Sequence, residues 1–304
     1  MNATVVGYGS IGKRHARLLE ELGCEVSVVS RRNVDHPSRY SSLDQVFEEE
    51  PPGYVVVATR TSEHRGTLDK LVQLDFEGRI LVEKPLADTP IPLPTGIPES
   101  TFVAYNFRFH PLLNDLHDRV HGEEIISVDG YAGAFLPNWR PDRDYRETYS
   151  AHAEQGGGVI RDLSHELDYL NWLLDGWSRV AALGGQFSQL ELDSDDVFIL
   201  LFETERCPAV TLHLNYLDRG PHRTVRVNTT DHTLEADLIE ETLSVDGAIV
   251  SEYELNRDAT YRAEHEAVLN GEFDRLCTVE EALEVMDLIE AAEQSATNRT
   301  FVEQ

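Results

Sequence analysis

Six residues at the start of the chain have types and spacing suited to holding a phosphate pair: Gly7-Tyr8-Gly9-Ser10-Ile11-Gly12. In a G-x-G-x-x-G turn the first glycine permits the tight bend and the second lets backbone approach a pyrophosphate. The third allows close helix packing, and the helix amino end faces the phosphates. The pattern is weak alone, but here it follows the apolar run Thr4-Val5-Val6 and opens a helical period, as a dinucleotide site requires. Gly7, Gly9, Ser10, Ile11 and Gly12 are therefore expected to bind the cofactor. At the end of the second apolar run an NAD site usually carries Asp or Glu for the ribose hydroxyl. This chain has Ser30-Arg31-Arg32 instead. Guanidinium groups bind a 2′-phosphate by charge-assisted hydrogen bonds, whereas a carboxylate repels it. The expected cofactor is thus NADP rather than NAD; the other reading leaves two arginines in solvent.

A second glycine run, Gly156-Gly157-Gly158, leads to Asp162 and His165. Glycine lets a loop approach a ligand closely, and residues three apart share one side of a helix. An imidazole titrating near ~6.5 is able to take a hydroxyl proton, though a lone histidine also serves as a satisfied core residue. Asp162 reads equally as an acid–base partner or as a helix N-cap. Asp168, one turn after His165, reads as an orienter of the ring or as part of a polar face. The run Trp139-Arg140-Pro141-Asp142-Arg143-Asp144-Tyr145-Arg146 offers an indole to stack on a sugar and arginines to hold carboxylate or phosphate. Its other reading is a solvated loop whose arginines pair with Asp142, Asp144 and Glu147. His117 and His121 have the spacing of a zinc pair but no evident third ligand, so no metal is expected.

These residues need a scaffold, and the hydrophobic pattern supplies one. Runs at 4–6, 26–29, 54–58, 79–82 and 102–105 read as strands. They alternate with helical periods at Ile11–Leu22, Ser42–Glu50 and Ser62–Leu74, Ser62 being the expected N-cap of the last. Repeated strand–helix units imply a doubly wound parallel sheet of Rossmann type. Pro90, Pro92, Pro94 and Pro98 forbid a regular helix between Ala87 and Ser100. After Pro111 the rhythm changes. A helix at 112–121 and a strand at 125–135 precede a strong helix from Asp162 to Leu174. Closely spaced β runs then occur at 180–187, 197–202, 209–216, 224–230, 233–237 and 242–245, suggesting a largely antiparallel open sheet in an α+β domain. The expected division is residues 1–110 and 111–304, with the last helix, 279–296, packing back on the first domain.

Composition bounds the function. The chain has 304 residues, 55 acidic against 26 basic, for a formal charge of −29. Phosphate contacts need basic residues in excess, so nucleic acid is excluded as a general partner, and adhesion to an anionic membrane is disfavoured. No apolar run reaches the ~20 residues of a membrane helix, and no secretory leader is evident. Cys24, Cys207 and Cys277 are odd in number and far apart, which fits reduced thiols in a cytoplasm. Only Lys13, Lys70 and Lys84 are lysines among the basic residues. Lysine poverty under acid excess predicts adaptation to high salt, where ions screen self-repulsion.

With Glu83-Lys84-Pro85 after the fourth strand, the chain resembles the Gfo/Idh/MocA family, the relatives of glucose–fructose oxidoreductase and inositol dehydrogenase. The likeness covers Gly7 through Leu22, Val55 through His64, Leu81 through Pro85, Tyr105 through Pro111 and Gly156 through Leu173. It implies an N-terminal Rossmann domain and a C-terminal domain whose open sheet often makes an oligomer contact, so a dimer or tetramer is expected. It implies hydride transfer between NADP and a secondary hydroxyl of a sugar, cyclitol or sugar nucleotide, with a leaning toward activated or acidic sugars. Lys84 would lie beside the nicotinamide and hydrogen-bond the reacting oxygen, and His165 would shuttle its proton in the same cleft, with Asp162 as a third catalytic group. Relatives usually place that carboxylate four residues before the histidine, where this chain has three. Relatives also carry a proline in the turn Ala58-Thr59-Arg60-Thr61, but Thr59, Thr61 and His64 still fit a cofactor-lining role, as does Glu83. The proline-rich stretch replaces a helix common in the family. Asn106 and Arg108 follow a strand's carboxyl end, where ligands bind in open α/β sheets; with Trp139, Arg143 and Tyr145 they are the expected substrate residues. Two further readings of the same site are an NADP-binding sensor without turnover and a glycosidase that oxidises its sugar transiently.

Overall fold

The computed structural model describes residues 1–87 and 93–304. In chain order the first elements are β1 (Asn2–Val6), α1 (Ser10–Glu21), β2 (Glu25–Val29), β3 (Arg39–Tyr40), α2 (Leu43–Glu49), β4 (Tyr54–Val57), α3 (Thr61–Gln73), β5 (Arg79–Val82) and β6 (Thr101–Val103). There follow α4 (Pro111–Val120), β7 (Ile125–Gly133), the short α5 (Leu136–Trp139), α6 (Val159–Asp162), α7 (Ser164–Leu173), β8 (Arg179–Gly185), β9 (Val197–Glu203) and β10 (Val210–Asn215). The chain ends with β11 (His222–Thr229), β12 (Thr233–Asp237), β13 (Thr242–Val245), β14 (Ala248–Glu252), α8 (Ala259–Asn270), β15 (Cys277–Thr278), α9 (Val279–Asn298) and β16 (Val302–Glu303). It divides into two compact units: Met1–Phe109 with Arg257–Leu283, and His110–Asn256 with Glu284–Gln304.

In the first unit the sheet order is β3-β2-β1-β4-β5-β6-β15, parallel throughout except for β15 on β6. The order reverses between β1 and β4, which puts the end of β1 at the point where open α/β sheets bind ligands. Val55, Val56 and Val57 of β4 are fully buried, as a strand covered on both faces must be. Helix α3 begins at Thr61, with Arg60 in the cap position and no side-chain cap, so Ser62 is not its N-cap. The return segment brings α8 and β15, neither of which hydrophobic periodicity reveals. The buried face of α8 carries Thr260, Glu264 and His265 beside Ala267 and Val268, so its apolar stripe is interrupted. Of the proline-rich stretch, Pro90 and Pro92 lie outside the described residues, and 93–100 run as turns.

In the second unit the sheet order is β14-β13-β12-β11-β7-β10-β9-β8-β16. Its pairs are antiparallel except β7 with β10, so the sheet is mixed at its centre. The expected helix from Asp162 to Leu174 is instead two helices broken at Leu163. In β9 Phe198, Leu200 and Phe202 are buried while Ile199 and Leu201 are exposed, the period of two that gives a sheet one core face. No helix among the described residues is long and apolar enough to cross a membrane.

Candidate active site

The residues singled out by chemistry fall in two sets, one in each unit. In the first, Gly7 has φ +97°, and a Cβ there would lie 2.5 Å from the Ala58 carbonyl oxygen. A Cβ on Gly12 would stand 2.0 Å from the Gly7 oxygen, so α1 packs on its own turn. Gly9 is different: nothing lies within 4 Å of its Cβ position. The amino end of α1 has no side-chain cap and no acidic residue in its first turn, and Ser10 is exposed. Unsatisfied N–H groups and a positive dipole end therefore face open space. Two glycines close the turn and the third leaves room, which is the arrangement a pyrophosphate needs. The turn from Gly7 to Gly12, where Gly7, Gly9, Ser10, Ile11 and Gly12 are the expected cofactor residues, has room for a dinucleotide's pyrophosphate.

Beyond β2, the Ser30 hydroxyl accepts from the Arg32 amide at 3.2 Å and thereby shapes its own turn. Arg31, 81% exposed, donates to Glu63 at 2.5 Å. The arginine expected to meet a 2′-phosphate thus already has a carboxylate partner, one from α3, while Arg32 is exposed. At the end of β4 the Thr59 hydroxyl is buried without a protein partner, an orphan beside the glycine turn. Thr61 opens α3. His64 is buried with Nδ1 3.3 Å from the Leu86 carbonyl and Nε2 3.3 Å from that of Thr59. Burial pushes its pKa down, and the neutral ring donates to one of these two carbonyls.

Lys84 is half-buried and follows Glu83, whose amide donates to Val57 at 2.9 Å. The Glu83 carboxylate turns to α1 and meets His15 Nε2 at 2.7 Å. Glu83, expected to line the cofactor, is therefore engaged by a histidine. Asn106 donates to Thr260 at 2.6 Å, and the buried Arg108 donates to Glu281 at 2.8 Å. Both side chains, expected on substrate, reach the return segment. Sequence spacing does not show this, because their partners lie more than 150 residues away.

In the second unit Gly157 and Gly158 have no room for a side chain: Cβ atoms there would lie 2.1 Å from the Tyr149 oxygen and 2.3 Å from Asp195 Oδ1. Asp195 accepts from the Ile160 amide at 3.1 Å, and burial raises its carboxyl to about 6. Asp162 closes α6 and is buried, and its Oδ2 accepts the Tyr216 hydroxyl proton at 2.7 Å. The N-cap reading of Asp162 is thus replaced, since Leu163 occupies the cap position of α7. Burial and the Asp162 carboxylate both push Tyr149 and Tyr216 upward, so these hydroxyls keep their protons and act as donors. Trp139 meets Tyr216 edge-on at 5.2 Å. Tyr216 therefore joins two expected residues, and it ends an apolar strand run, where nothing distinguishes it in sequence.

His165 is half-buried at the second position of α7. Its neighbour Glu166 is fully buried and pairs with Arg223 at 2.7 Å. Asp168 is also fully buried. Of the arginine-rich loop, Arg143 is exposed, and the Tyr145 hydroxyl accepts from the Glu191 amide at 3.0 Å. Arg146 is held by Asp144 and Glu191. His117 stacks on Trp172 at 4.4 Å rather than pairing with His121.

Comparison with known proteins places both parts of the chain in one family. Residues 1–91 match the oxidoreductase family with an NAD-binding Rossmann fold, and residues 120–235 match the GFO/IDH/MocA C-terminal domain. A search of curated proteins finds no match. Among solved structures, a myo-inositol dehydrogenase from Corynebacterium glutamicum superposes with a TM-score of 0.77 at 19% identity, covering 100% of this chain and 98% of that one. The WlbA dehydrogenase of Bordetella pertussis, in complex with NADH and UDP-GlcNAcA, gives 0.74 at 15%, covering 100% and 97%. An oxidoreductase from Desulfitobacterium hafniense, described as NADPH-dependent, gives 0.80 at 15%, covering 100% and 97%. At these identities the likeness is one of fold.

Proposed function

This chain belongs to the Gfo/Idh/MocA oxidoreductase family, and on that footing we propose that it is an NADP-dependent dehydrogenase of a sugar, cyclitol or sugar nucleotide. The observation that carries the reading is the glycine cradle, with its open Gly9 and uncapped helix end beside the orphan Thr59 hydroxyl. The bound nicotinamide supplies or accepts the hydride. Lys84 hydrogen-bonds the reacting oxygen, and its ammonium stabilises the alkoxide character that develops there. His165 takes the hydroxyl proton as the carbinol becomes a ketone and returns it in the reverse direction. Asp162, held by Tyr216, supplies a fixed negative charge on the α6 side of the Leu163 break.

Solved structures of like fold support the substrate class: one is a myo-inositol dehydrogenase, another holds a nucleotide-linked acidic sugar. Exposed Arg31 and Arg32 favour NADP, and exposed Arg143 favours an acidic sugar. Leu183, Ile199 and Leu201 form an exposed apolar row on adjacent strands of the second sheet, which favours a dimer or tetramer. The acid excess favours a saline cytoplasm. The deciding experiment follows NADP reduction at 340 nm across cyclitols, aldoses, uronic acids and sugar nucleotides. Lys84→Ala is expected to abolish turnover while leaving NADPH affinity within about threefold. Full turnover in that variant, or no reduction of either NADP or NAD on any substrate, overturns the reading.

A further inference from the structure

A buried chain of hydrogen bonds crosses the first unit and ends at the residue before Lys84. The Tyr54 hydroxyl lies 2.9 Å from His265 Nδ1, His265 Nε2 lies 2.8 Å from His15 Nδ1, and His15 Nε2 lies 2.7 Å from Glu83 Oε1. Tyr54, His15 and His265 are all fully buried. The four residues come from β4, α8, α1 and the end of β5, so no local pattern brings them together. They connect the amino end of β4 to the carboxyl end of β5, beneath the helix that carries the glycine turn.

Every ring nitrogen along the chain has a partner at hydrogen-bond distance. Burial and the neighbouring His15 and Arg262 hold His265 well below the ordinary histidine range, so it carries a single proton. Burial and Glu264 hold Tyr54 well above the phenol range, so its proton stays on. The Glu83 carboxylate only accepts, so His15 Nε2–H donates to it, and His265 joins His15 to the Tyr54 hydroxyl. Each group thus fixes the ring orientation of the next, as a carboxylate fixes a histidine in other sites.

Resting on the dehydrogenase reading above, we propose that Tyr54, His265 and His15 are positioning residues that act through Glu83 to set the orientation of Lys84. A carboxylate clamped by a charge-assisted bond gives the strand end one rotamer and one backbone path. The peptide joining Glu83 to Lys84 passes that constraint directly to the amine. A site loosened at its supporting groups loses reactivity before it loses fold.

The scarcity of lysine makes the test direct. Folded, cofactor-free wild type, Tyr54→Phe, His265→Leu and His265→Gln are labelled with a limiting acylating reagent, and the labelled peptides are quantified by mass spectrometry. Lys70, which pairs with Asp44, is the internal reference. Tyr54→Phe and His265→Leu are expected to change the Lys84-to-Lys70 ratio by about threefold or more. His265→Gln, whose amide both accepts and donates, is expected to restore it to within about twofold. In the turnover assay the first two variants are expected to lower kcat about tenfold with KM and NADPH affinity within about twofold. If His265→Leu does not fold, Tyr54→Phe decides. An unmoved Lys84 ratio in folded Tyr54→Phe overturns the relay. Absence of wild-type turnover overturns the dehydrogenase reading instead, and the labelling ratio still decides the relay.

Discussion

The hydroxyl of Tyr216 donates to Asp162 Oδ2 at 2.7 Å, joining the last strand residues before a loop to the carboxylate that closes a one-turn helix. A buried hydrogen bond to a charged group contributes about 2 kcal/mol. Tyr216→Phe keeps the ring against Trp139 and removes only that donor. The expected loss of stability is about 2 kcal/mol, read from urea unfolding at neutral pH, together with a fall in kcat if Asp162 is catalytic. Unchanged stability would show that Tyr149, whose hydroxyl also bonds Asp162, holds the carboxylate without Tyr216.

Glu63 competes for the guanidinium that a 2′-phosphate would use. Pairs this exposed are worth little, about 0–1 kcal/mol. Glu63→Gln is therefore expected to strengthen NADPH binding by severalfold while leaving NADH binding unchanged. Arg31→Ala is expected to weaken NADPH alone. Fluorescence titration with both cofactors reads this, and equal effects on NADH would move the phosphate contact elsewhere.

The glycines of the first turn differ in what they tolerate. Gly9→Ala places a methyl in open space at φ −81°, so the melting temperature should stay the same. The methyl occupies the approach to the pyrophosphate, and affinity for either cofactor should fall about tenfold or more. Gly12→Ala drives a Cβ into the Gly7 carbonyl and should destabilise the fold by about 1–3 kcal/mol. Paired thermal melts and titrations separate the two.

The Asp195 carboxyl, raised to about 6 by burial, leaves a signature in pH. Its unfolded value lies near ~3.9, so between the two values the folded chain binds more protons than the unfolded one. The stability it contributes is complete below about pH 4 and is lost as pH rises through 6. Asp195→Asn keeps an acceptor for the Ile160 amide and carries no charge. Relative to wild type, its urea midpoint should climb between pH 4 and pH 7. A parallel pair of pH curves would contradict the raised value.

A surface of −29 formal charge repels itself, and added ions relieve that repulsion. The melting temperature should rise as KCl is raised into the molar range. A flat or falling curve would remove the saline reading.

The glycine turn, the strand–helix alternation of the first hundred residues and the Glu83-Lys84-Pro85 segment were legible because each signal resides in neighbouring residues. Glycine spacing encodes a turn, and an apolar run such as Tyr54-Val55-Val56-Val57 encodes a covered strand. Periodicity persists through Leu163 and so predicts one helix over 162–174, whereas Asp162 ends α6 with its carboxylate on Tyr216, 54 residues on. Helix α8 leaves no such signal, because its buried positions include Thr260 and His265, whose partners make the burial tolerable. The parallel pairing of β7 with β10 within an otherwise antiparallel sheet leaves no local mark either.

By itself, then, the order of residues determined the Rossmann unit with its glycine turn and the family to which the chain belongs. Tertiary structure alone decided that Arg108 serves Glu281, that Arg31 meets Glu63, and that His15 reaches His265 across 250 positions. The physical reason is one of range. Backbone preference and hydrophobic period act between near neighbours, whereas a buried polar group takes whichever partner the packing of distant elements brings within hydrogen-bond distance.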